Sequence, residues 1–581
     1  MLDPYRMVFI NIMSSLALLG GLLFYKFIFP KKKINLFFLL ILISILPIIS
    51  IFRNGDYESG DFNIHIYRIM SFYDSLKEGI IMPSWAAELN ATYGNPLFIF
   101  NYSLPYYIIS LFHFIGISFI SSMKLYLGLT LYLSGIFMYL WIKELTGNKL
   151  AAFTSAIFYI FNPYHLIDVH FRATLGESTI FTLVPLLFYF ITKYIKKKKF
   201  TYLALIALMS QLLFLAHPMI AGIFTGIASL FVLSMINIKK GLKSVFITIV
   251  FMSIGIIGAI YSWVSYILFS AYTFPNPGGI IFQDTFSKIF YSPWRYGFLF
   301  QGPNGEFAPI IGYTQVFVVV FAIFLLKKNY ISKKINPSYL FWLLIFFLIL
   351  FFMSPYSKRI WFQFPSLSML QSHRLLLPIA LSTSVLAGYL AISFSDTQRK
   401  KIFIYLLIVI TIGYTILNWG HRRLITEIND YTLRKNVWIS TVTEGTTAYF
   451  LNNRWADINN FWFSKIPNDH LEIIQGKGTV REIKRKSTQH NYIVNAQTPI
   501  VIKENTLYYP GWKLKSNFND IFVYPGKRGL IYANLPSGIQ YLELKYEDIL
   551  PYKIAKTISI AIFSILIIVL IYILLIKRFT A

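Results

Sequence analysis

The sequence predicts an all-α polytopic membrane protein of about 13 transmembrane helices, with a small extracytoplasmic β-rich domain near the C-terminus. Three observations carry that prediction. Of 581 residues, 56% are hydrophobic and only 13% are charged, about half the roughly 25% charged share of a soluble domain. The apolar residues fall in runs of about 17–25, the length a helix needs to cross a bilayer. The 53 Lys and Arg, which set a net charge of +28, gather in short clusters between those runs, at 31–33, 196–199, 239–243, 327–334, 399–401 and 577–578. That is the positive-inside pattern, and it needs no nucleic acid.

Taken in order, the expected spans are 7–29, 34–52, 123–142, 150–164, 178–195, 201–217, 218–237, 244–268, 313–326, 338–353, 374–394, 402–418 and 554–576. The first is long enough to span and carries its basic cluster on the C-terminal side, so it reads as a helix rather than a cleaved leader. The run 105–116, PYYIISLFHFIG, is only about a dozen residues long and reads as a juxtamembrane helix. Counting it out places every basic cluster on one side of the membrane. The N-terminus is then outside and the C-terminus inside. Segments 53–122, 165–177, 269–312 and 354–373 face outward.

The domain reading follows from these spans. Residues 1–418 form a transmembrane domain with the juxtamembrane first outer loop 53–122, residues 419–551 an extracytoplasmic mainly β domain, and residues 552–581 a final helix with its tail. The β reading rests on TPIVIKENTLYY, GWKLKS, GLIYANLP and GIQYLELKYED, which partly alternate apolar and polar residues between Pro-Gly and Ser-Gly turns. There is no cysteine, so disulfides, thiolate nucleophiles and Cys-ligated metals are excluded.

Chemistry-bearing residues concentrate in the outer segments. In SGDFNIHIYRI, a helix is expected over 62–77, and Asp61, His65 and Arg68 share one face at i, i+4 and i+7. Two readings stand for this stripe: an N-terminal cap with a solvated polar face, or Asp61 as a general base accepting a hydroxyl proton. The sequence demands no cofactor. Asp56 and Glu58 with Asp61 could hold a divalent cation through hard oxygen ligands, against a solvated acidic loop. In HLIDVHFRATLGE, His165, Asp168 and His170 could ligate a metal or be satisfied interfacial groups. Arg172 suits a phosphate, because its planar fork binds oxygens bidentately, or it snorkels to headgroups. Glu177, His217 in LAHPM, Lys358 and Arg359, and His373 with Arg374 in LQSHRLLLP complete the polar groups at that level. Such groups beside hydrocarbon are costly enough, about 2.5–3.5 kcal/mol each, to be functional candidates. Trp512 in YYPGW is either a sugar-stacking platform or a buried anchor.

The motifs GDFNIHIYR, LKEGIIMPSWAAELNATYGNPLFIFNYSLPYYI, FNPYHLIDVHFRATLGE, LAHP, LQSHRLLLP and YYPGWKL occur in an order that resembles the C-type (GT-C) polytopic glycosyltransferases. The chain is most similar to the 6-pyruvoyl-tetrahydropterin synthase-related membrane family and to YfhO-like proteins. The tetrahydropterin label carries no chemistry here, since nothing matches that soluble enzyme's metal site. The resemblance implies a GT-C-like fold and transfer of a sugar from a polyprenyl-phosphate-linked donor to a glycopolymer, lipid or protein acceptor of the cell envelope. It makes Asp61 the catalytic carboxylate. It also matches Arg374, and Arg172 with Glu177, to elements of the family's pattern. With the candidates read from the residues themselves, the expected substrate-binding set is His65, Arg68, Arg172, Glu177, His217, His373 and Arg374, with no metal ligand assigned. A phosphate leaving group needs cations rather than a general acid, and direct displacement inverts the anomeric centre.

Two other classes compete: a transporter or flippase of lipid-linked saccharides, and a non-catalytic member of the fold. A transporter should carry charged or broken helices near the midplane, whereas the polar residues here concentrate in outer loops. The expected location is the cell membrane, multi-pass, with the active site on the extracytoplasmic side.

Overall fold

A computed structural model describes residues 3–235, 238–273, 286–291, 310–331, 336–364, 370, 372–395, 397–416, 419–420, 424–436, 453–456, 463 and 465–579. Most of the expected outer segment 269–312 and much of 437–464 lie outside the described residues.

The chain is mostly helical, with a β domain before the last helix. Among the described residues, seven helices are long and apolar enough to cross a membrane: Arg6–Ile28, Phe119–Thr146, Leu175–Lys197, Pro218–Met235, Gly241–Gly258, Ser372–Ser393 and Leu550–Ile576. Two bent pairs raise the total to nine: Lys149–Ile160 with Pro163–Arg172, bent by 46°, and Pro337–Met353 with Pro355–Gln363, bent by 72°. Seven to nine such spans are thus found among the described residues, and the expected total of about thirteen is not confirmed. Apolar runs such as 34–52, 201–217 and 313–326 fold into shorter helices, and the first of these tightens into a 3₁₀ turn at Leu46–Phe52 behind Pro47. A run of apolar residues fixes burial but not the continuity of the helix that buries them.

Local chemistry sets the breaks. Asn148 and Asn336 cap the helices that follow them through their side-chain oxygens. At Asn162-Pro163 and Ser354-Pro355 a proline opens the next helix, where its missing N–H costs nothing. The stretch expected to be juxtamembrane forms the helix Leu104–Phe114 of 11 residues. At 1.5 Å per residue it is roughly 16 Å long, about half the hydrocarbon thickness.

The β domain packs two antiparallel sheets. Strands are numbered from the outer loop: β1 (Asp56–Tyr57) pairs with β2 (Leu424–Ile425). In the domain proper, β3 (Leu471–Gln475), β6 (Ile500–Leu507), β10 (Leu530–Leu535) and β9 (Val523–Pro525) form one sheet in that order. The other runs β4 (Gly478–Lys486), β5 (Gln489–Ala496), β11 (Gly538–Tyr546), β7 (Trp512–Ser516) and β8 (Asn519–Ile521). β7 alternates buried and exposed residues, with Trp512, Leu514 and Ser516 inward, the period that a half-covered strand demands.

Part of the segment 53–122 is built into that domain. Trp85, Ala91, Tyr93 and Phe100 share a hydrophobic core with Tyr492, Leu507, Trp512 and Tyr546. Trp512 is buried and meets Trp85 edge-on with ring centroids 5.3 Å apart, so it is an anchor rather than an open platform. Leu507 N–H donates to Tyr93 O at 2.8 Å. Arg485 reaches Thr92 O, while its other nitrogen holds Glu504 at 2.8 Å. Asn90, Ala91 and Thr92 lie consecutively in the left-handed region, at φ 55°, 53° and 69°. Such a run costs non-glycine residues roughly 1–2 kcal/mol each, and these contacts hold it. Gly94, at φ 74°, lies so close to Trp85 that a Cβ would sit 2.4 Å from the indole Nε1.

Candidate active site

The site begins where the chain leaves the helix ending at Phe52. Within β1, the Tyr57 hydroxyl donates to Val169 O at 3.0 Å. Gly60 N–H and Asp61 N–H then donate to Phe171 O and Arg172 O, both at 2.8 Å. Main chain thus stitches the segment after Phe52 to the one that ends at Arg172. The helix Phe62–Lys77 follows, as its spacing predicts. Asp61 makes no side-chain cap on that helix, and Ser59 Oγ accepts the Phe62 N–H instead at 3.1 Å. The capping reading of Asp61 is therefore replaced: its carboxylate is not spent on the helix terminus.

The second loop supplies the charges. Asn162-Pro163 bends the chain, Asp168–Arg172 forms a widened helical turn, and Ala173 turns left-handed at φ 55°. Glu177 then enters the first turn of Leu175–Lys197, where the helix dipole favours an anion. Arg172 grips Glu177 with both terminal nitrogens, at 3.1 and 3.0 Å, and Asp168 at 2.6 Å. The Tyr164 hydroxyl donates to Glu177 at 2.6 Å. From a helix nearly two hundred residues away, Arg374 Nε donates to the same carboxylate at 3.1 Å.

Asp61 is half-buried beside this cluster. Loss of water raises its carboxyl above the usual range, the charges of Arg172, Arg68 and Arg374 pull it back down, and Glu177 pushes it up. Burial, helped by Arg68, keeps His65 neutral. Its Nδ1 lies 3.0 Å from the Tyr106 hydroxyl and its Nε2 3.1 Å from the Tyr102 hydroxyl, and Asn101 donates to Tyr106 at 2.8 Å. Tyr102 in turn stacks on His217 with centroids 5.9 Å apart. Gly176 permits this closeness: a Cβ there would sit 2.8 Å from Ala216 O and 3.0 Å from the Tyr102 ring. His373 lies against Tyr164 at 6.5 Å. Arg172, Glu177 and Arg374 are the charged groups that act on both His217 and His373.

The structure thus brings Asp61, Arg68, Arg172, Glu177, Arg374 and the three histidines at 65, 217 and 373 into one neighbourhood. Other candidates fall elsewhere. His165 stacks flat on Phe181, 3.9 Å apart and 5° from parallel, and bonds Tyr159 O, which makes it a core histidine. Asp56 is buried and accepts from Tyr57 N–H, while Glu58 is exposed. Among the described residues, no three His, Asp or Glu side chains are placed to hold a metal. Lys358 and Arg359 are exposed on the short helix Lys358–Gln363. Sequence reasoning overlooked Asn101, Tyr102, Tyr106 and Tyr164. Tyr102 lies just before the helix Leu104–Phe114 and Tyr106 in its first turn, so no helical spacing joined them to His65.

The family described as 6-pyruvoyl-tetrahydropterin synthase related domain, a membrane protein family, has a model that matches residues 99–420. The chain belongs to this family. The matched span holds Arg172, Glu177, His217, His373 and Arg374, and leaves Asp61, His65 and Arg68 outside it. A Lactococcus lactis subsp. cremoris protein named only as uncharacterized is 27% identical over 217 residues, which cover 37% of this chain. The chain spans about a third of that relative's length, 35%. Among solved structures, the Archaeoglobus fulgidus oligosaccharyltransferase with Zn and sulfate aligns at TM-score 0.43 and 13% identity, over 75% of this chain and 58% of that one. The oligosaccharyltransferase AglB of the same organism, with an inhibitory peptide and a dolichol-phosphate, aligns at TM-score 0.38 and 14% identity, over 75% and 56%.

Proposed function

We propose that this membrane protein is a GT-C-type glycosyltransferase of the cell membrane. It moves a sugar from a polyprenyl-phosphate-linked donor to an envelope glycopolymer, lipid or protein on the outer face, with inversion. One observation carries the reading: a carboxylate unspent on its own helix, Asp61, is held by main-chain bonds against two arginines that share one glutamate.

In this reading Asp61 takes the proton of the attacking acceptor hydroxyl. A carboxylate raised by burial is a better base than one in water. The hydroxyl oxygen forms the new bond to the anomeric carbon as the bond to the lipid phosphate breaks, and that phosphate leaves with the electron pair. Arg374 and Arg172 meet the charge that develops on it. Glu177 and Asp168 hold Arg172 in place, so Arg172 acts as a fixed electrostatic contributor beside Arg374. Neutral His65 holds the Tyr102 and Tyr106 hydroxyls in place, and the stacked pair Tyr102–His217 offers the sugar a flat surface.

The test is sugar transfer from a radiolabelled polyprenyl-phosphate sugar by the purified protein. Asp61→Asn should lose about 10²–10⁴-fold in turnover while unfolding like the wild type. The acid limb of the wild-type pH profile should lie above that of an ordinary carboxylate and vanish with the substitution. Equal turnover by both proteins refutes Asp61 as the base. Movement of the donor across vesicles without transfer would favour a flippase.

A further inference from the structure

Away from the active-site residues named above, a cavity of about 430 Å³ is lined by Phe52, Arg53, Ser121, Lys124, Asp430 and Tyr431 among others. Its level in the membrane follows from the helices that meet there. Phe52 ends the apolar run that starts near Lys31–Lys33, and Phe119 begins a helix whose far end carries Lys143 and is followed by Lys149. By the positive-inside rule the cavity lies at the outer boundary of the hydrocarbon. Its rim is aromatic and open, with Phe52 51% and Tyr431 73% exposed, as befits side chains that sit among headgroups.

Its floor is a buried cation. Lys124 is 4% exposed. Its ammonium donates to Arg53 O at 2.6 Å and to Gly55 O, which leaves a third N–H. Among the described residues no carboxylate lies within ion-pair distance of it. Asp56, which faces it from further off, is pushed up to about 7 by burial. Asp430 accepts the Phe119 N–H at 2.9 Å. The lining charges of Arg53, Lys124 and Asp430 sum to one positive charge, and burying an ammonium without a counter-ion is costly.

We propose that this cavity binds the singly charged phosphodiester headgroup of a membrane lipid. The phosphate meets Lys124 and Arg53, and the chains run down past Phe52. A phosphate pairs with such cations through charge-assisted hydrogen bonds. Size agrees, since pockets of about 300–1,000 Å³ are usual for bound small groups. The site is separate from the reaction proposed above and does not depend on it.

Native mass spectrometry of the protein in micelles tests this, with phosphatidylglycerol as the probe and inorganic phosphate as competitor. The wild type should retain one phosphatidylglycerol, and Lys124→Met should bind it at least tenfold more weakly. Lys124 also ties two loop carbonyls, so Ser121→Trp gives a second test: it fills the cavity without touching those bonds and should abolish retention while melting like the wild type. Asp61→Asn should retain the lipid, whatever its turnover. Equal retention by the wild type and the folded variants overturns the proposal. Displacement by millimolar inorganic phosphate overturns the lipid assignment and leaves a free-anion site.

Discussion

Replacing Glu177 by Gln removes the charge on which two arginines meet. Glu177 is 2% exposed and accepts two hydrogen bonds from Arg172, one from Arg374 and one from Tyr164. Hydrogen bonds to a charged group contribute about 1.5–3 kcal/mol each. The three arginine contacts do not simply add, because Asp168 still holds Arg172 at 2.6 Å. Arg374 loses its carboxylate at 3.1 Å. Breaking a buried pair of this kind costs about 3–5 kcal/mol, and Glu177→Gln should lose that much in unfolding followed by tryptophan fluorescence in mixed micelles. Asp168→Asn should lose less, since Glu177 would keep both arginines. A second readout is independent of folding. Glu177 pushes the Asp61 carboxyl up, so its neutralisation should move the acid limb of transfer to lower pH. A variant as stable as the wild type, with an unmoved pH profile, would refute the claim that Glu177 organises the site.

Other outcomes follow from the same contacts. Gly94→Ala places a methyl group 2.4 Å from Trp85 Nε1 at φ 74°, and should cost about 1–3 kcal/mol from overpacking, read by thermal unfolding. Burial alone would raise the Glu504 carboxyl, but the His490 ring bonded to it and the Arg485 charge hold it well below the usual range. Its contribution is therefore present above about pH 4.5 and lost as pH falls, and Glu504→Gln should lose about 3–5 kcal/mol at neutral pH and flatten the acid dependence. Glu88 behaves oppositely. Burial, then the neighbouring Asp74, push it up to about 8. Its fold is favoured below the ordinary value of 4.5 and loses stability as pH rises through about 8. Glu88→Gln should flatten the melting temperature against pH across that window.

Composition and periodicity made the membrane class, the β domain and the helix Phe62–Lys77 legible, because each depends on which residues are buried at a fixed local spacing. The number of spans was less legible. Breaks at Pro47, Pro163 and Pro355 decide whether one apolar run makes one helix or two shorter ones, and hydropathy averages over them. The candidate site could be picked out only as residue types gathered in a few segments. Its wiring was not legible. That Arg172 and Arg374 share Glu177 is a contact between residues 197 apart in the chain, and no local pattern encodes it. The aromatic partners of His65 were hidden for another reason: among 40 tyrosines, tyrosine type alone carries little information. The docking of Trp85 on Trp512 follows from tertiary packing that neither local stretch reveals.

The links from Gly60 and Asp61 to Phe171 and Arg172 run between peptide groups. Side-chain exchange at these four positions cannot lengthen or shorten them, because neither donor nor acceptor belongs to a side chain. Only proline at position 60 or 61 would delete a link, by removing its hydrogen. Under the sugar transfer proposed above, a change of sugar would therefore be sought in the walls around the acid, at Tyr102, His217 or His373, with the acid's station taken as given.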